Sequence, residues 1–229
     1  MISSAFIASL NIAADPWSPS NDSVATMYTL LEMSRPKNLL CLGASNASIV
    51  ASMYCHSYEA SLHIVEEHEA ILEHIKKKGG EYMGIPTYQI ADIVEEEVIL
   101  EPKFLGIVGK DLDIAEEYRA KHDMLCNPPV TTQEERITSR YDKVIWDKYD
   151  FIIVDGPRKS GVGRAIPILE NEVAPECTIL WMNGRHDNVI EAIKYFDHDA
   201  RYYDNSLSSF HLDTRDGLVI TRILDEEII

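Results

Sequence analysis

Three places in this sequence put polar, reactive residue types directly after an apolar run. Phe151-Ile152-Ile153-Val154 stops on Asp155 and opens into Gly156-Pro157-Arg158-Lys159-Ser160-Gly161-Val162-Gly163-Arg164. Leu62-His63-Ile64-Val65 stops on Glu66-Glu67, and Asn38–Leu42 runs into Gly43-Ala44-Ser45-Asn46-Ala47-Ser48. In open α/β sheets, ligands sit in the crevice outside the carboxyl ends of the strands, so these residues are candidates for one site. The small residues Gly43, Ala44, Ser45 and Asn46 let a ligand approach the backbone. They present amide N–H groups at a positive helix end, where a carboxylate or phosphate can dock. An acid at the end of the next strand, Glu66 or Glu67, is placed to accept hydrogen bonds from ribose hydroxyls. Together these features imply a nucleoside-bearing cofactor. Only the first glycine of a GxGxxG fingerprint is present, which makes a dinucleotide a weaker fit, and the absence of GxxxxGKS/T disfavours a nucleoside triphosphatase. Taken by itself, Asp155-Gly156-Pro157 reads as no more than a turn.

Arg158, Lys159 and Arg164 bring three cations into one loop of a chain whose 38 acidic and 21 basic residues leave a net charge of −17. A guanidinium pairs bidentately with a carboxylate, so Arg158 and Arg164 are candidates for holding an anionic acceptor. The equal alternative is that Arg158 pairs with a neighbouring acid. His186 follows the fifth apolar run, Thr178–Met182, and could reach the same site beside Asp187 and Asn188. Asp187 itself reads as a helix cap. His63, His68 and His74 lack ligand spacing and read as packing or surface residues. Glu95-Glu96-Glu97 reads as a solvated face, and no obligatory metal is expected.

The elements that must position these residues alternate in kind. Ser20 or Asp22 caps a predicted helix whose apolar positions Val24, Met27, Tyr28 and Leu31 share one stripe, ending near Pro36. The spacing of Ile49, Val50, Met53 and Tyr54 predicts a helix after the Gly43 loop. Ala70, Ile71 and Ile75, closed by Lys76-Lys77-Lys78-Gly79-Gly80, predict another. Thr87–Ile90 is a weaker strand, closely followed by Asp92. Pro167 suits the first turn of a helix, and Val189, Ile190, Ile193 and Phe196 mark a further helical face. Ser208–Leu212 and Leu218–Leu224, separated by Asp213–Gly217, read as an antiparallel pair closing the sheet. The fold class is thus α/β, a Rossmann-like and mostly parallel sheet with helices on both faces and an antiparallel C-terminal hairpin. A single domain over 1–229 is expected, with 1–36 an N-terminal helical segment. Residues 93–145 exceed what a crossover helix needs and read as an insertion or a lid over the site. They include the apolar patch Phe104–Val108, a helical segment Ile114–Lys121 and Asn127-Pro128-Pro129.

Composition narrows the function classes. At 229 residues, with 45% hydrophobic and 26% charged, the chain suits a folded domain of enzyme size and argues against disorder. The negative charge repels nucleic acid and anionic lipid, so neither nucleic acid nor membrane is expected as a partner. Cys41, Cys55, Cys126 and Cys177 form no CxxC pair, which fits reduced, buried thiols in a cytoplasmic setting. The amino terminus lacks the positive n-region of a signal peptide. The uncharged stretch between Lys37 and Glu59 contains Gly, Ser and Asn, which favours a buried strand, loop and helix over a membrane span. A homo-oligomer is compatible with all of these features.

In its order of motifs, most of the chain resembles the class I S-adenosylmethionine-dependent methyltransferases. Leu40-Cys41-Leu42-Gly43-Ala44-Ser45-Asn46 resembles their first motif, Glu66 their ribose-binding acid, Asp92 their adenine-contacting acid and Asp155 the acid of their fourth motif. The resemblance implies seven strands, the last antiparallel, and S-adenosyl-L-methionine as cofactor. Cys41 stands where many members carry an acid, and Ser45 and Ala47 where they carry glycines. Val65-Glu66-Glu67-His68 with Ile71, and Asp155-Gly156-Pro157-Arg158 with Gly163-Arg164 and Ile166, are most similar to the glucuronoxylan 4-O-methyltransferase and related plant polysaccharide-biosynthesis family. Lys159 and Ala165 replace that family's glycine and methionine. The narrower resemblance implies methylation of a sugar or uronate hydroxyl, or of another small polar acceptor, as a small molecule or within a glycan. Methyl transfer from a sulfonium is an in-line displacement, so Asp155 is the expected base or acceptor-orienting acid. Arg158, Lys159, Arg164 and His186 are the expected acceptor contacts. Two other functions share the fold: an aminopropyltransferase of the spermidine-synthase type, and a methyltransferase-like binding module without catalysis, which the reduced glycine loop suits. Some metal-dependent O-methyltransferases pair the fourth-motif acid with Asp-Asn after strand five; here Asn183-Gly184-Arg185-His186 intervenes before Asp187-Asn188.

Overall fold

A computed structural model describes residues 18–100, 134–157, 160–171, 173–198, 207–212 and 214–223. The strands are β1 (Asn38–Leu42), β2 (Ser61–Glu66), β3 (Thr87–Ile90), β4 (Ile93–Leu100), β5 (Glu134–Tyr141), β6 (Phe151–Val154), β7 (Thr178–Trp181), β8 (Leu207–Leu212) and β9 (Leu218–Ile223). The helices are α1 (Asn21–Ser34), α2 (Asn46–Tyr58), α3 (Glu69–Gly79), α4 (Ile166–Leu169) and α5 (Asp187–His198).

Seven strands form one sheet in the order β3-β2-β1-β6-β7-β9-β8. β1 pairs in parallel with β2 and with β6, and β6 in parallel with β7. β9 runs antiparallel to both β7 and β8, so β8 shares the direction of the parallel strands and β9 alone opposes it. The continuous apolar runs of β1 and β6 follow from burial on both faces. Leu39, Cys41, Phe151 and Ile153 pack toward Met27, Tyr28, Leu31, Val50 and Tyr54 of α1 and α2. Their neighbours Leu40, Leu42, Ile152 and Val154 belong to the core shared with Ile168, Val189 and Phe196 of α4 and α5. Successive strand residues therefore serve opposite layers, as the two-residue period requires. His63, on β2, is a packed residue whose Nδ1 lies 2.8 Å from the Tyr149 hydroxyl.

The expected side-chain caps do not form at two helices. Ser20 occupies the position before α1 with extended backbone but makes no side-chain cap bond. Asp22 accepts from the Arg215 amide of the C-terminal turn at 2.7 Å as well as from the Ser20 hydroxyl at 2.5 Å. Asp187 begins α5 and stands in its first turn, not ahead of it. Within the expected insertion, β4 and β5 pair antiparallel as a separate two-stranded ribbon. Glu95 and Glu97 are exposed, whereas Glu96 pairs with Arg140, which also reaches Glu170 at 3.2 Å. Phe104–Val108, Ile114–Lys121 and Asn127–Pro129 lie outside the described residues. Among the described residues, no helix is long and apolar enough to cross a membrane.

Candidate functional site

Because the chain leaves β1 toward β2 on one side and returns to β6 on the other, the strand order reverses between β1 and β6. A crevice opens at their carboxyl ends. The two loops meet there backbone to backbone. Leu42 O accepts from both the Asp155 and Gly156 amides, at 2.8 and 2.7 Å. Gly43 has φ +97°, a conformation that disfavours a side chain, and a Cβ on it would lie 2.7 Å from Gly156 N. A Cβ on Gly156 would in turn overlap the Tyr141 hydroxyl. Glycine is thus required on both loops by close approach.

The cavity above this contact, about 190 Å³, is lined by Gly43, Ala44, Glu66, Glu67, Tyr141, Asp155, Gly156, Arg164, Asn183, His186, Asn188 and Val189. It brings together the expected Gly43, Ala44, Glu66, Glu67, Asp155, Arg164 and His186. Ser45 and Asn46 are not on its lining. Ser45 is the N-cap of α2: its hydroxyl accepts from the Ala47 amide at 3.1 Å, and the Ser48 hydroxyl accepts from the Ser45 amide at 2.9 Å. Asn46 is the first helical residue, and its Oδ1 accepts from Lys78 Nζ at 3.1 Å. Asp92 is exposed and off the lining, with its carbonyl accepting from the Asp142 amide at 2.8 Å. Arg158 and Lys159 lie outside the described residues.

The two acids at the end of β2 are differently engaged. Glu66 is 3% exposed; its Oε2 accepts from the Ala44 amide at 2.8 Å, and its Oε1 from the Glu67 and His68 amides, each at 3.1 Å. Burial pushes its carboxyl up to about 7, against the lowering effect of the amide donors, and the Glu67 charge adds to the rise. Glu67 is half-buried, and its Oε2 accepts from the Tyr141 hydroxyl at 2.9 Å. Asp155 is half-buried and its Oδ1 accepts from Asn183 Nδ2 at 3.1 Å. Arg164 is buried, with Nε donating to Ser160 O at 2.9 Å. Cys41 lies under the loop, but burial raises its thiol to about 12, which leaves it no thiolate for catalysis. Among the described residues, no group of three or more His, Cys, Asp or Glu is placed to hold a metal.

Sequence reasoning does not reach Tyr141, Asn183 or Val189, whereas Asn188 is expected beside His186 and does line the cavity. Asn183 directly follows β7 and Met182, so the strand-end rule that singles out Asp155 also reaches it. Its φ of 59° is one that asparagine tolerates better than most residues. Its loop is held from beyond the sheet, since the Gly184 amide donates to Gly217 O at 2.8 Å and the Arg185 amide to Asp216 O at 3.2 Å. Tyr141 has no comparable local signal, because it enters the cleft from the ribbon. On the same strand, Thr138 Oγ1 accepts from the Gly163 amide at 2.9 Å, and Ser139 O accepts from the Ser160 hydroxyl. β5 therefore touches both the Glu67 side of the cleft and the loop that leads to Arg164.

No protein-family model and no curated protein matches this sequence. Solved structures do match it. An O-methyltransferase of Bacillus cereus in complex with SAH aligns with TM-score 0.55 and 11% identity, over 96% of this chain and 87% of its own. An SAH-bound methyltransferase of Podospora anserina aligns with TM-score 0.57 and 12% identity, over 97% and 88%. A precorrin-6y C5,15-methyltransferase of Geobacter metallireducens aligns with TM-score 0.51 and 11% identity, over 93% and 92%. At these identities the likeness is one of architecture, and the chain has the Rossmann-like fold of the class I methyltransferases.

Proposed function

We propose that this chain is an S-adenosylmethionine-dependent methyltransferase acting on a hydroxyl of a small polar acceptor, a sugar or uronate in the first instance. The observation that carries the reading is the single cavity shared by the Gly43 loop, the acids ending β2, and Asp155 with Asn183. The donor set suits the cofactor, since carboxylates can accept from ribose hydroxyls and complement a sulfonium cation. The SAH carried by two of the structural neighbours supports the same cofactor. S-adenosylmethionine supplies a methyl group activated by its positive sulfur. The cleft has to align the acceptor and remove one proton. The Gly43 loop and the acids ending β2 would hold the cofactor, which would give its methyl group to the acceptor oxygen and leave as a neutral thioether. Asp155 takes the hydroxyl proton, and the Asn183 amide on Oδ1 sets the direction in which that carboxylate points. Arg164, with Arg158 and Lys159 from the same loop, pairs an anionic acceptor. The uronate preference rests on the residues of that loop alone.

Calorimetric titration with S-adenosylhomocysteine tests the cofactor, and transfer of labelled methyl to a panel of uronates and neutral sugars tests the acceptor. Asp155→Asn is expected to lower turnover by about a hundredfold or more while leaving S-adenosylhomocysteine affinity within a few fold. No heat of binding at high concentration would rule the reading out. An open cavity reaching from Gly43 to Asp155 favours an enzyme over a binding module without catalysis. Three carboxylates on the lining also suit a cationic acceptor, as an aminopropyltransferase would need. A polyamine arm with decarboxylated cofactor distinguishes the two by whether the product gains methyl or aminopropyl.

A further inference from the structure

Arg164 stands on the cavity lining although it is 5% exposed, and what holds it comes in large part from the β4–β5 ribbon. Its Nε donates to Ser160 O at 2.9 Å, which fixes the plane of the guanidinium relative to the Ser160–Arg164 turn. That turn is closed by the Arg164 amide, which donates to Gly161 O at 3.1 Å. β5 fastens it from one side: Thr138 Oγ1 accepts from the Gly163 amide at 2.9 Å, and the Ser160 hydroxyl donates to Ser139 O. Thr138 and Ser160 are both buried, with their hydroxyl oxygens 3.5 Å apart. Val98 of β4 packs with Val162 and Ile166, so both strands of the ribbon touch the turn. Its two glycines permit this fit. A Cβ on Gly163 would overlap Ser139 O, and one on Gly161 would overlap the Glu191 carboxylate of α5. The turn is therefore wedged between the ribbon and α5.

We propose that Thr138 is a positioning residue for the choice of acceptor: by holding the turn against β5 it fixes the Arg164 guanidinium for a carboxylate of the acceptor. The β4–β5 ribbon then sets the preference for an acidic over a neutral acceptor. This rests on the methyl transfer and the acidic acceptor proposed above, to which it adds a residue outside the Asp155 loop. A guanidinium held in one plane meets a carboxylate with its fork already oriented, whereas a neutral hydroxyl matches neither the charge nor the fork. Thr138→Val keeps the outline of the side chain but leaves the buried Gly163 amide without its acceptor. The turn then shifts from β5 and takes with it Ser160 O, on which the Arg164 plane depends.

The test uses the full chain with saturating S-adenosylmethionine. The acceptors are methyl glucuronoside and methyl glucoside, which differ only in carboxylate against hydroxymethyl. Thr138→Val is expected to raise KM for the glucuronoside about tenfold, on the scale of a hydrogen bond to a charged group, and to leave kcat within about twofold. KM for the glucoside should stay within about twofold, which a general loosening of the fold would not produce. Thr138→Ser restores the hydroxyl and should return the glucuronoside KM to within about threefold of wild type. The double variant with Arg164→Gln should behave like Arg164→Gln alone, because Thr138 acts through Arg164. Ser160→Ala cuts the second tie and keeps Ser160 O; it should move the same KM in the same direction, and carries the test should Thr138→Val not fold. Equal losses on both acceptors would overturn the inference, as would Thr138→Val and Ser160→Ala that both match wild type on the glucuronoside. A wild type that methylates the two acceptors alike would overturn it and leave methyl transfer standing. Binding of S-adenosylhomocysteine with transfer to neither would overturn the acidic acceptor and this inference together and leave the cofactor. Absence of that binding would remove the whole reading.

Discussion

Glu66→Gln changes one ionisable group at the tip of β2 and almost none of its shape. Burial drives this carboxyl from an ordinary 4.5 up to about 7. Between those values the unfolded chain gives up the proton while the folded chain keeps it. The native state is therefore favoured at the acid end, and that advantage drains away as pH rises through 7. At about 1.4 kcal/mol per unit, and with part of the change complete by pH 5, the group should cost wild type about 2 to 3 kcal/mol between pH 5 and pH 8. Glutamine cannot titrate. It can accept on one end only, so the variant carries a further loss of about 1–3 kcal/mol that does not vary with pH. Urea denaturation at half-unit steps measures the difference between the two proteins, in which the acids distant from Glu66 cancel and the neighbouring Glu67 does not. The difference should change by about 2 to 3 kcal/mol across this window, the variant becoming relatively more stable at high pH. Parallel stability curves would refute the reasoning, since they would mean that Glu66 titrates as in water and is not sealed under the Gly43 loop.

Two further substitutions probe that loop. Gly43→Ala sets a side chain at φ +97° and 2.7 Å from Gly156 N, for about 2–4 kcal/mol of strain and overpacking; a melting curve like that of wild type would contradict the backbone contact. Ser45→Ala removes the N-cap of α2, and the urea midpoint should fall by the equivalent of about 1 kcal/mol with the slope unchanged.

The parts of the fold that are legible in sequence are those whose signal is local. β1 and β6 read as strands because each is covered on both faces and so is apolar at every position. The Gly43 loop and the acids after Val65 and Val154 are found because strand ends and small-residue loops are short patterns. The ribbon is harder, because Glu95-Glu96-Glu97 interrupts the apolar alternation of β4, and a strand paired with a solvated partner needs no apolar face. Tyr141 is illegible for a related reason. Its role depends on which loop β5 touches, and that is fixed by the Ser160–Gly163 turn, about twenty residues further along. Asp22 is legible only in part: local pattern places it at the helix start, where it meets Ser20, but it also accepts from the Arg215 amide, 193 residues away. The distinction between Glu66 and Glu67 is beyond any pattern, since both acids follow the same strand and only the direction of each side chain separates their roles.

The bonds at the start of α1 have a consequence for when the protein becomes competent. Ser20, Asp22 and Ser23 bond to Asp216, Arg215 and Thr214, across separations of 196, 193 and 191 residues. The same turn holds the Gly184–Arg185 backbone, and so the loop that presents Asn183 and His186 to the cleft. Contacts this distant in sequence carry the largest loop-closure cost. That side of the cleft is therefore complete only when segments near the two ends of the sequence have met. If the proposed methyl transfer holds, it would require both of these segments in place, whereas the Gly43 loop and Glu66 are joined to each other by bonds local to β1 and β2.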